Sequence, residues 1–135
     1  MQPQLSVWTE SDVGCKRPIN QDSVLVDSSL GLFLVADGMG GLKGGEVASK
    51  LAVETVREVV ELEKPLLRSR QDTRRLIDAA FREASRRIYI KSKSQDEDLV
   101  GMGTTLLMAF QFGPILFFGN VGDSRAYLFH APFMW

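Results

Sequence analysis

Three aspartates are the residues whose type and position best suit chemistry in this sequence. Asp22 ends a short polar stretch, Asp37 opens a glycine-rich run, and Asp123 follows a glycine in the C-terminal part of the chain. Each aspartate lies at the end of an apolar run with the composition of a strand. Side chains at strand ends can converge on one site, so these carboxylates are candidate ligands or proton carriers.

The spacing of Asp22 and Asp37 can be examined with hairpin geometry. The apolar runs 23–26 and 32–36 predict two strands, and the stretch 28–31 between them is typical of a tight turn. If Ser29 and Leu30 are the central turn residues, Asp22 and Asp37 are equally distant from the turn. They would then face each other across the hairpin, with Cβ atoms about 4.5–5.5 Å apart.

Two carboxylates that face each other need a physical explanation, because like charges directly opposite destabilise a strand pair. Either a cation lies between them, or one carboxyl has a raised pKa. Oxygen ligands favour Mg²⁺ or Mn²⁺ over zinc. The glycines after Asp37 let the backbone approach closely, so the carbonyl of Gly38 is a further candidate ligand. Two such ions about 3.5–4 Å apart would activate a water molecule and hold phosphoryl oxygens.

Each feature also has an ordinary structural explanation. An isolated Asp-Gly or Gly-Asp-Ser is usually a turn, and a glycine run is often a flexible loop. Arg17 is a candidate phosphate ligand, because guanidinium donates two parallel hydrogen bonds to phosphate, although a lone arginine more often forms a surface ion pair. The expected register of Asp22 and Asp37 is what favours a metal site.

The composition of the chain argues against several classes of partner and active site. The chain has 135 residues, 44% of them apolar, and a formal net charge of -1, which gives no support for nucleic-acid or anionic-membrane partners. The single cysteine, Cys15, cannot form an internal disulfide, so we expect a cytoplasmic protein. We find no signal-peptide pattern and no apolar stretch near the roughly 20 residues that span a bilayer. His130 is the only histidine, which argues against a His-rich metal site or a Ser-His-Asp triad.

The predicted elements are strands, then two helices, then strands. Apolar residues recur at helical spacing over 48–60, which Pro65 closes, and again over 77–88. The other predicted strands are 5–13, 101–110, 114–121 and 124–129, and the run 37–45 is predicted to be neither helix nor sheet interior. The later strands are apolar on both faces, so we expect burial on both sides. Helices on one face of an antiparallel sheet predict an α+β layered fold.

Four ordered motifs resemble those of the PPM (type 2C) family of metal-dependent serine/threonine protein phosphatases. They lie at residues 11–22, 37–41, 101–105 and 119–125. The resemblance implies a four-layer α-β-β-α sandwich, in which two antiparallel sheets are flanked by helices. It also implies hydrolysis of phosphoserine and phosphothreonine in proteins by metal-activated water, with two Mn²⁺ or Mg²⁺ ions. A phosphorylated protein is then the expected partner, with no nucleic acid and no membrane.

The resemblance assigns roles to individual residues. Asp22 corresponds to a metal ligand, Asp37 to the carboxylate that bridges two metals, and Gly38 to a backbone-carbonyl ligand. Arg17 corresponds to the phosphate-binding arginine, so Arg17 and Asp37 are the expected catalytic residues. Asp123 corresponds to an acidic residue near a third, weaker metal.

The sequence departs from the family pattern in two places. Gln21 stands where the family often has Glu, which removes one acidic group. The sequence ends at Trp135, before the later motifs that supply further metal-binding aspartates. We therefore expect residues 1–135 to be the N-terminal part of a single phosphatase domain, incomplete at its C-terminus and impaired in hydrolysis. The alternative is a non-catalytic, phosphatase-like fragment that binds a partner or a phosphopeptide.

Overall fold

The main sheet consists of five antiparallel strands. The structure, a computed structural model, describes residues 3–135. The strands of this sheet are β1 (Asp22–Asp27), β2 (Leu32–Met39), β3 (Gly103–Thr104), β4 (Leu106–Phe112) and β5 (Ile115–Val121). They lie in the order β1-β2-β4-β5, and the short β3 pairs with the end of β2. Strands β1 and β5 are therefore the two edges of the sheet.

The first hairpin has the predicted register. A turn over residues 28–31 joins β1 to β2, and the Asp27 carboxylate caps it by accepting hydrogen bonds from the Ser29 hydroxyl and the Leu30 N–H. Gly31 has a φ of 69°, in the left-handed region that glycine adopts at little cost. Asp27 pairs with Leu32, and the ladder continues to the pair Asp22 and Asp37. The predicted strand pair and its turn are confirmed.

Two long helices cover one face of this sheet. Helix α1 spans Gly44–Glu63, and helix α2 spans Arg70–Ser92. Ser69 caps α2 by accepting a hydrogen bond from the Asp72 N–H, while the Asp72 carboxylate accepts one from the Arg68 N–H. Short 3-10 turns occupy residues 64–66 and 97–99. Pro65 lies in the first of these turns and ends α1, as the sequence predicts.

The core lies between the helices and the inner face of the sheet. We call the helix-covered side the inner face and the opposite side the outer face. The inner-face residues are fully or almost fully buried: Leu32, Leu34, Ala36, Leu106, Met108 and Phe110. They pack against a stripe at helical spacing on each helix: Ala52, Val56 and Val60 on α1, and Leu76, Ala80 and Ala84 on α2. The predicted α+β layering is confirmed.

The outer face differs from the sequence prediction of strands buried on both sides. Val35 is 44% exposed and Phe118 is 54% exposed, although both are apolar. The N-terminal segment, which includes Val7 and Trp8, covers part of this face without joining the sheet. The Gln111 side-chain amide donates a hydrogen bond to the Pro3 carbonyl at the start of that segment.

Two predicted strands are wrong. Residues 5–13 have no strand structure, and neither do residues 124–128. The chain turns away from β5 at Gly122, whose φ is 99°, and the Asn120 amide then holds the Ser124 carbonyl. Further on, β6 (Phe129–His130) and β7 (Phe133–Met134) form a small separate hairpin. A strand pattern without a partner strand does not form a ladder.

The glycine run also differs from its prediction. Strand β2 continues through Gly38 and Met39, and α1 already begins at Gly44, so only residues 40–43 are loop. The predicted strand 101–110 is divided into β3 and β4, and its first residue, Gly101, lies before β3 with a φ of 71°. No helix within residues 3–135 is long and apolar enough to cross a membrane.

Candidate metal and phosphate site

Asp22 and Asp37 lie directly opposite each other in the β1–β2 ladder. The backbone of Asp37 turns towards Thr105: its N–H donates to the Thr105 hydroxyl over 2.9 Å, and its carbonyl accepts from the Thr105 N–H over 2.9 Å. Asp37 therefore has no backbone bond to Asp22. The two residues form a non-hydrogen-bonded pair, the kind in which facing side chains approach most closely.

The electrostatics of this pair follow from its geometry. Partial burial raises the pKa of Asp22, and the neighbouring Asp37 carboxyl raises it further by a side-chain hydrogen bond and by charge repulsion. The Arg17 guanidinium partly offsets this rise in the pKa of Asp22. The carboxyls are thus close enough to share a proton, and a cation placed between them would replace that proton.

A polar cleft of about 380 Å³ lies beside this pair. It brings together four of the five residues that the sequence predicts for the site: Arg17, Asp37, Gly38 and Asp123. The fifth, Asp22, faces Asp37 across the hairpin. Arg17 has no ion-pair partner among residues 3–135, so its guanidinium is free to bind an anion in the cleft.

Gly38 is fixed by close packing between β2 and the start of α1. A Cβ atom at Gly38 would lie 2.0 Å from the Gly45 carbonyl oxygen and 2.7 Å from the Gln21 carbonyl oxygen. Both neighbours are backbone atoms that cannot move aside. The Gly38 N–H donates to the Gln21 carbonyl over 3.2 Å. Only glycine fits here, and the first turn of α1 consequently lies directly beside the predicted ligands.

Gln21 has a positioning role that the sequence interpretation missed. Its side-chain amide donates hydrogen bonds to the carbonyls of Gly40, over 3.2 Å, and Leu42, over 3.4 Å. Its own carbonyl accepts from the Ser49 hydroxyl of α1 over 2.7 Å. A glutamate in its ionised form could not donate to those two carbonyls. The sequence gives no signal for these contacts, because the two carbonyls lie about twenty residues farther along the chain.

Thr105 is the second residue with an unpredicted role. Besides its two bonds to the Asp37 backbone, its hydroxyl pairs with the Ser124 hydroxyl at 2.7 Å. Ser124 follows Asp123, so Thr105 connects the turn that carries Asp123 to the strand that carries Asp37. The sequence interpretation noted the motif 101–105 and gave its threonines no role. The signal available in the sequence was the pair of adjacent threonines, Thr104 and Thr105, that ends this motif.

The donor set has the chemistry of a site for a hard divalent cation. Asp22, Asp37 and a backbone carbonyl offer oxygen only, which suits Mg²⁺ or Mn²⁺. Within residues 3–135, no group of three or more His, Cys, Asp or Glu side chains is placed to hold a metal. A magnesium ion commonly binds through one or two carboxylates and keeps several waters, so two facing carboxylates suit such ions.

Comparison with known proteins agrees with this geometry. The sequence profile of the protein phosphatase 2C family matches residues 16–131, which include every residue of the cleft. The chain belongs to the protein phosphatase 2C family. The glycine run and the Gly-Asp-Ser turn fall inside the matched range, as does the part of the first motif from residue 16 onward.

Two bacterial relatives illustrate the match of this protein phosphatase 2C chain. It is 37% identical over 97 residues to the serine/threonine phosphatase stp of Listeria monocytogenes, covering 72% of this chain and 38% of that protein. It is 37% identical over 118 residues to the serine/threonine protein phosphatase PstP of Mycobacterium tuberculosis, covering 87% of this chain and 21% of that protein. The chain thus spans well under half the length of these relatives.

Solved structures of the same family share the fold. The crystal structure of M. tuberculosis PstP matches 93% of this chain with a TM-score of 0.79 and 34% identity, over 50% of its own length. The PstP catalytic domain in complex with two manganese ions matches with a TM-score of 0.78 and 34% identity, over 51% of its length. The layered fold with two helices and antiparallel sheets is therefore that of the protein phosphatase 2C structures.

Proposed function

We propose that this protein phosphatase 2C chain hydrolyses phosphoserine and phosphothreonine in proteins, with Mn²⁺ or Mg²⁺ as cofactor. One observation carries the proposal: Asp22 and Asp37 face each other at a cleft that also contains Arg17 and Asp123. Paired carboxylates for cations, next to an unpaired guanidinium for phosphate, are what metal-assisted phosphoester hydrolysis requires. The names of the bacterial relatives support the same reaction class.

The acidic residues of the cleft and the Gly38 carbonyl are the proposed metal ligands. In this proposal Asp22, Asp37 and the Gly38 carbonyl hold the divalent ions, and Asp123 holds a third ion more weakly. Bound divalent ions would neutralise phosphoryl charge and lower the pKa of a water molecule. Asp37 should contribute most to metal binding. Thr105 fixes both its N–H and its carbonyl, while its carboxylate faces Asp22.

Arg17 orients the substrate in this proposal. Its guanidinium offers paired donors that match two phosphate oxygens, so it fixes the direction in which the phosphoryl group enters the cleft. Such a contact holds the substrate and the transition state alike. Arg17→Ala should therefore weaken substrate binding more than it slows the chemical step, seen as a larger rise in KM than fall in kcat.

Turnover of a phosphothreonine peptide with millimolar Mn²⁺ tests the proposal. We expect slow, Mn²⁺-dependent phosphate release by the 135-residue chain, and release at the metal-free background by Asp37→Asn. Glu63→Gln is the matched control, since it removes one surface carboxylate at the end of α1. Equal turnover by wild type and Asp37→Asn would contradict the role of the carboxylate pair.

A second candidate function is non-catalytic binding of a phosphopeptide or protein partner. The observation that favours it is that no third metal-ligating side chain joins Asp22 and Asp37 within residues 3–135. Few protein ligands hold Mg²⁺ or Mn²⁺ weakly, because water competes well for these ions. One assay that measures both peptide binding and phosphate release distinguishes the two candidate functions. Arg17-dependent binding of the phosphopeptide without phosphate release supports the binding function.

A further inference from the structure

A groove lies between helix α2 and strand β5, along the edge of β5 that pairs with no other strand among residues 3–135. The groove has a volume of about 640 Å³ and runs along β5 from Ile115 to Asn120. Its opposite wall is α2, whose Ile77 and Phe81 side chains lie so close to Gly119 that a Cβ there would be 2.9 Å from Ile77 Cγ2. The absence of a side chain at Gly119 therefore lets α2 pack closely against β5 at this point.

The backbone of β5 exposes unpaired hydrogen-bonding groups along this groove. Thr105 and Gln111 direct their N–H groups towards the β2 side, to Asp37 and Gly31. In an antiparallel sheet, successive residues of a strand direct their N–H and C=O groups to opposite neighbouring strands. The odd-numbered residues of β4 therefore bond to the β2 side, and its even-numbered residues bond to β5. Their partners are the odd-numbered residues of β5. Leu116, Phe118 and Asn120 consequently point their N–H and C=O groups out of the open edge.

One end of the groove is strongly basic. Arg70 and Arg74 line it, Arg75 lies beside them, and none of the three has an ion pair among the described residues. They occupy the first turns of α2, where the helix dipole disfavours cations. The arginines farther along the same helix differ, since Arg82, Arg86 and Arg87 all pair with carboxylates. Asp78 also lines the groove and forms an ion pair with Arg82 at 2.9 Å.

We propose that this groove docks an extended, acidic segment of the protein substrate as an added strand on β5. The open backbone edge would supply main-chain hydrogen bonds, and Arg70 and Arg74 would bind acidic side chains of the segment. The identity of the segment as substrate rests on the proposed phosphatase function, while the docking of an acidic strand does not.

The position of β5 gives this docking a geometric consequence. Strand β5 ends at Val121, and Asp123 of the catalytic cleft follows at once. At about 3.3 Å per residue, the distance from Ile115 to Val121 is on the order of 20 Å. A strand added along this edge therefore leads from the arginines to the cleft. Acidic residues should lie about six positions from the phosphorylated residue of a good substrate.

A binding measurement with an unphosphorylated peptide tests the docking by itself. The probe is a fluorescein-labelled peptide in which two glutamates precede alternating valines and threonines, followed by fluorescence anisotropy. We expect Arg70→Glu/Arg74→Glu to weaken its binding about tenfold. The matched control, Lys91→Glu/Lys93→Glu at the other end of α2, should bind within about twofold of wild type. Circular dichroism checks that both double variants remain folded, because like charges four residues apart weaken a helix.

A second variant tests the strand edge. Leu116→Pro removes an outward N–H and leaves the bonds between β5 and β4 in place, as is tolerated on edge strands. It should reduce peptide binding while thermal unfolding stays close to that of wild type. Asp37→Asn should bind the peptide as wild type does, so a failure of docking and a failure of catalysis can be told apart.

Three results would overturn the proposal. The first is equal peptide binding by wild type and Arg70→Glu/Arg74→Glu. The second is full binding by folded Leu116→Pro, because an added strand needs the open edge. The third is a thymidine oligonucleotide that binds as tightly as the peptide, which would show that the arginines attract polyanions in general.

Discussion

The two faces of the main sheet are built from similar residues and serve different purposes. On the inner face, Phe110 and Met108 have no exposed surface, because both helices cover them. On the outer face, Val35 and Phe118 are about half exposed. The outer face also carries Asp22 and Asp37, at the end where β1 and β2 leave the hairpin. The inner face forms the hydrophobic core, and the outer face carries the candidate site.

The difference lies in what fixes each residue. Inner-face side chains are fixed by apolar packing, which tolerates changes of shape poorly. The site residues are fixed by backbone and side-chain hydrogen bonds, from Thr105 to Asp37 and from Gln21 to the glycine loop. A substitution on the inner face should therefore unfold the chain, whereas one at the site should change ligand binding first.

The largest expected effect comes from truncating one aromatic residue on each face. Phe110→Ala should lower the free energy of unfolding by about 3–5 kcal/mol, because it opens a cavity in a packed core. Phe118→Ala removes the same atoms from a half-exposed position and should cost about 1 kcal/mol or less. Urea denaturation measures both. Similar losses for the two variants would mean that the outer face is buried in solution.

A smaller effect is expected within the glycine run. Gly38→Ala should destabilise the chain by about 1–3 kcal/mol, because its Cβ meets the Gly45 carbonyl oxygen and forces β2 away from α1. Gly41→Ala is the control, since a Cβ there has no neighbour within 4 Å. If thermal unfolding shows no difference between these variants, the close contact between β2 and α1 is not present in solution.

Gln21→Glu should have a more moderate effect. The change replaces two donated hydrogen bonds with a carboxylate that faces the Gly40 and Leu42 carbonyls, at a cost of about 1–2 kcal/mol. Hydrogen exchange of the amides in residues 40–45 should become faster. Gln111→Glu, which loses a single bond to Pro3, provides the comparison. Unchanged exchange in Gln21→Glu would show that the Gln21 side chain does not hold the loop 40–43 in place.

The smallest effect is a gain in stability at the site itself. In the metal-free chain at neutral pH, Asp22→Asn removes one of two facing carboxylates and should stabilise the fold by about 0.2–1 kcal/mol. Glu63→Gln, a surface change of equal charge, should leave stability within about 0.5 kcal/mol of wild type. Urea denaturation with a chelator present is the measurement. A loss of stability in Asp22→Asn would show that the pair is not repulsive.

The sequence contains enough information to predict the hairpin and the facing positions of Asp22 and Asp37. Apolar runs on either side of a short turn determine which residues face each other, so the register of Asp22 and Asp37 follows from local pattern alone. The two helices are equally predictable, because their buried residues recur at helical spacing. Both kinds of feature depend on residues close together in the chain.

The predictions that were wrong concern features that depend on residues far apart in the chain. Residues 5–13 and 124–128 have the composition of strands, but a strand requires a partner, and the pattern of one segment does not specify it. The glycine run shows the same limit, since Gly38 lies inside β2, where it pairs with the distant Thr104 of β3. The two hydrogen bonds donated by the Gln21 side chain likewise depend on carbonyls about twenty residues away in the chain.

Binding of Mn²⁺ to the 135-residue chain tests most directly whether the facing aspartates form a cation site. The signal of free Mn²⁺ in electron paramagnetic resonance, recorded during titration of the protein, gives the amount bound. We predict that wild type and Glu63→Gln remove Mn²⁺ from solution equally, and that Asp37→Asn, still folded by circular dichroism, removes little or none. Wild-type binding of Mn²⁺ by folded Asp37→Asn would contradict the assignment of this pair as the metal site.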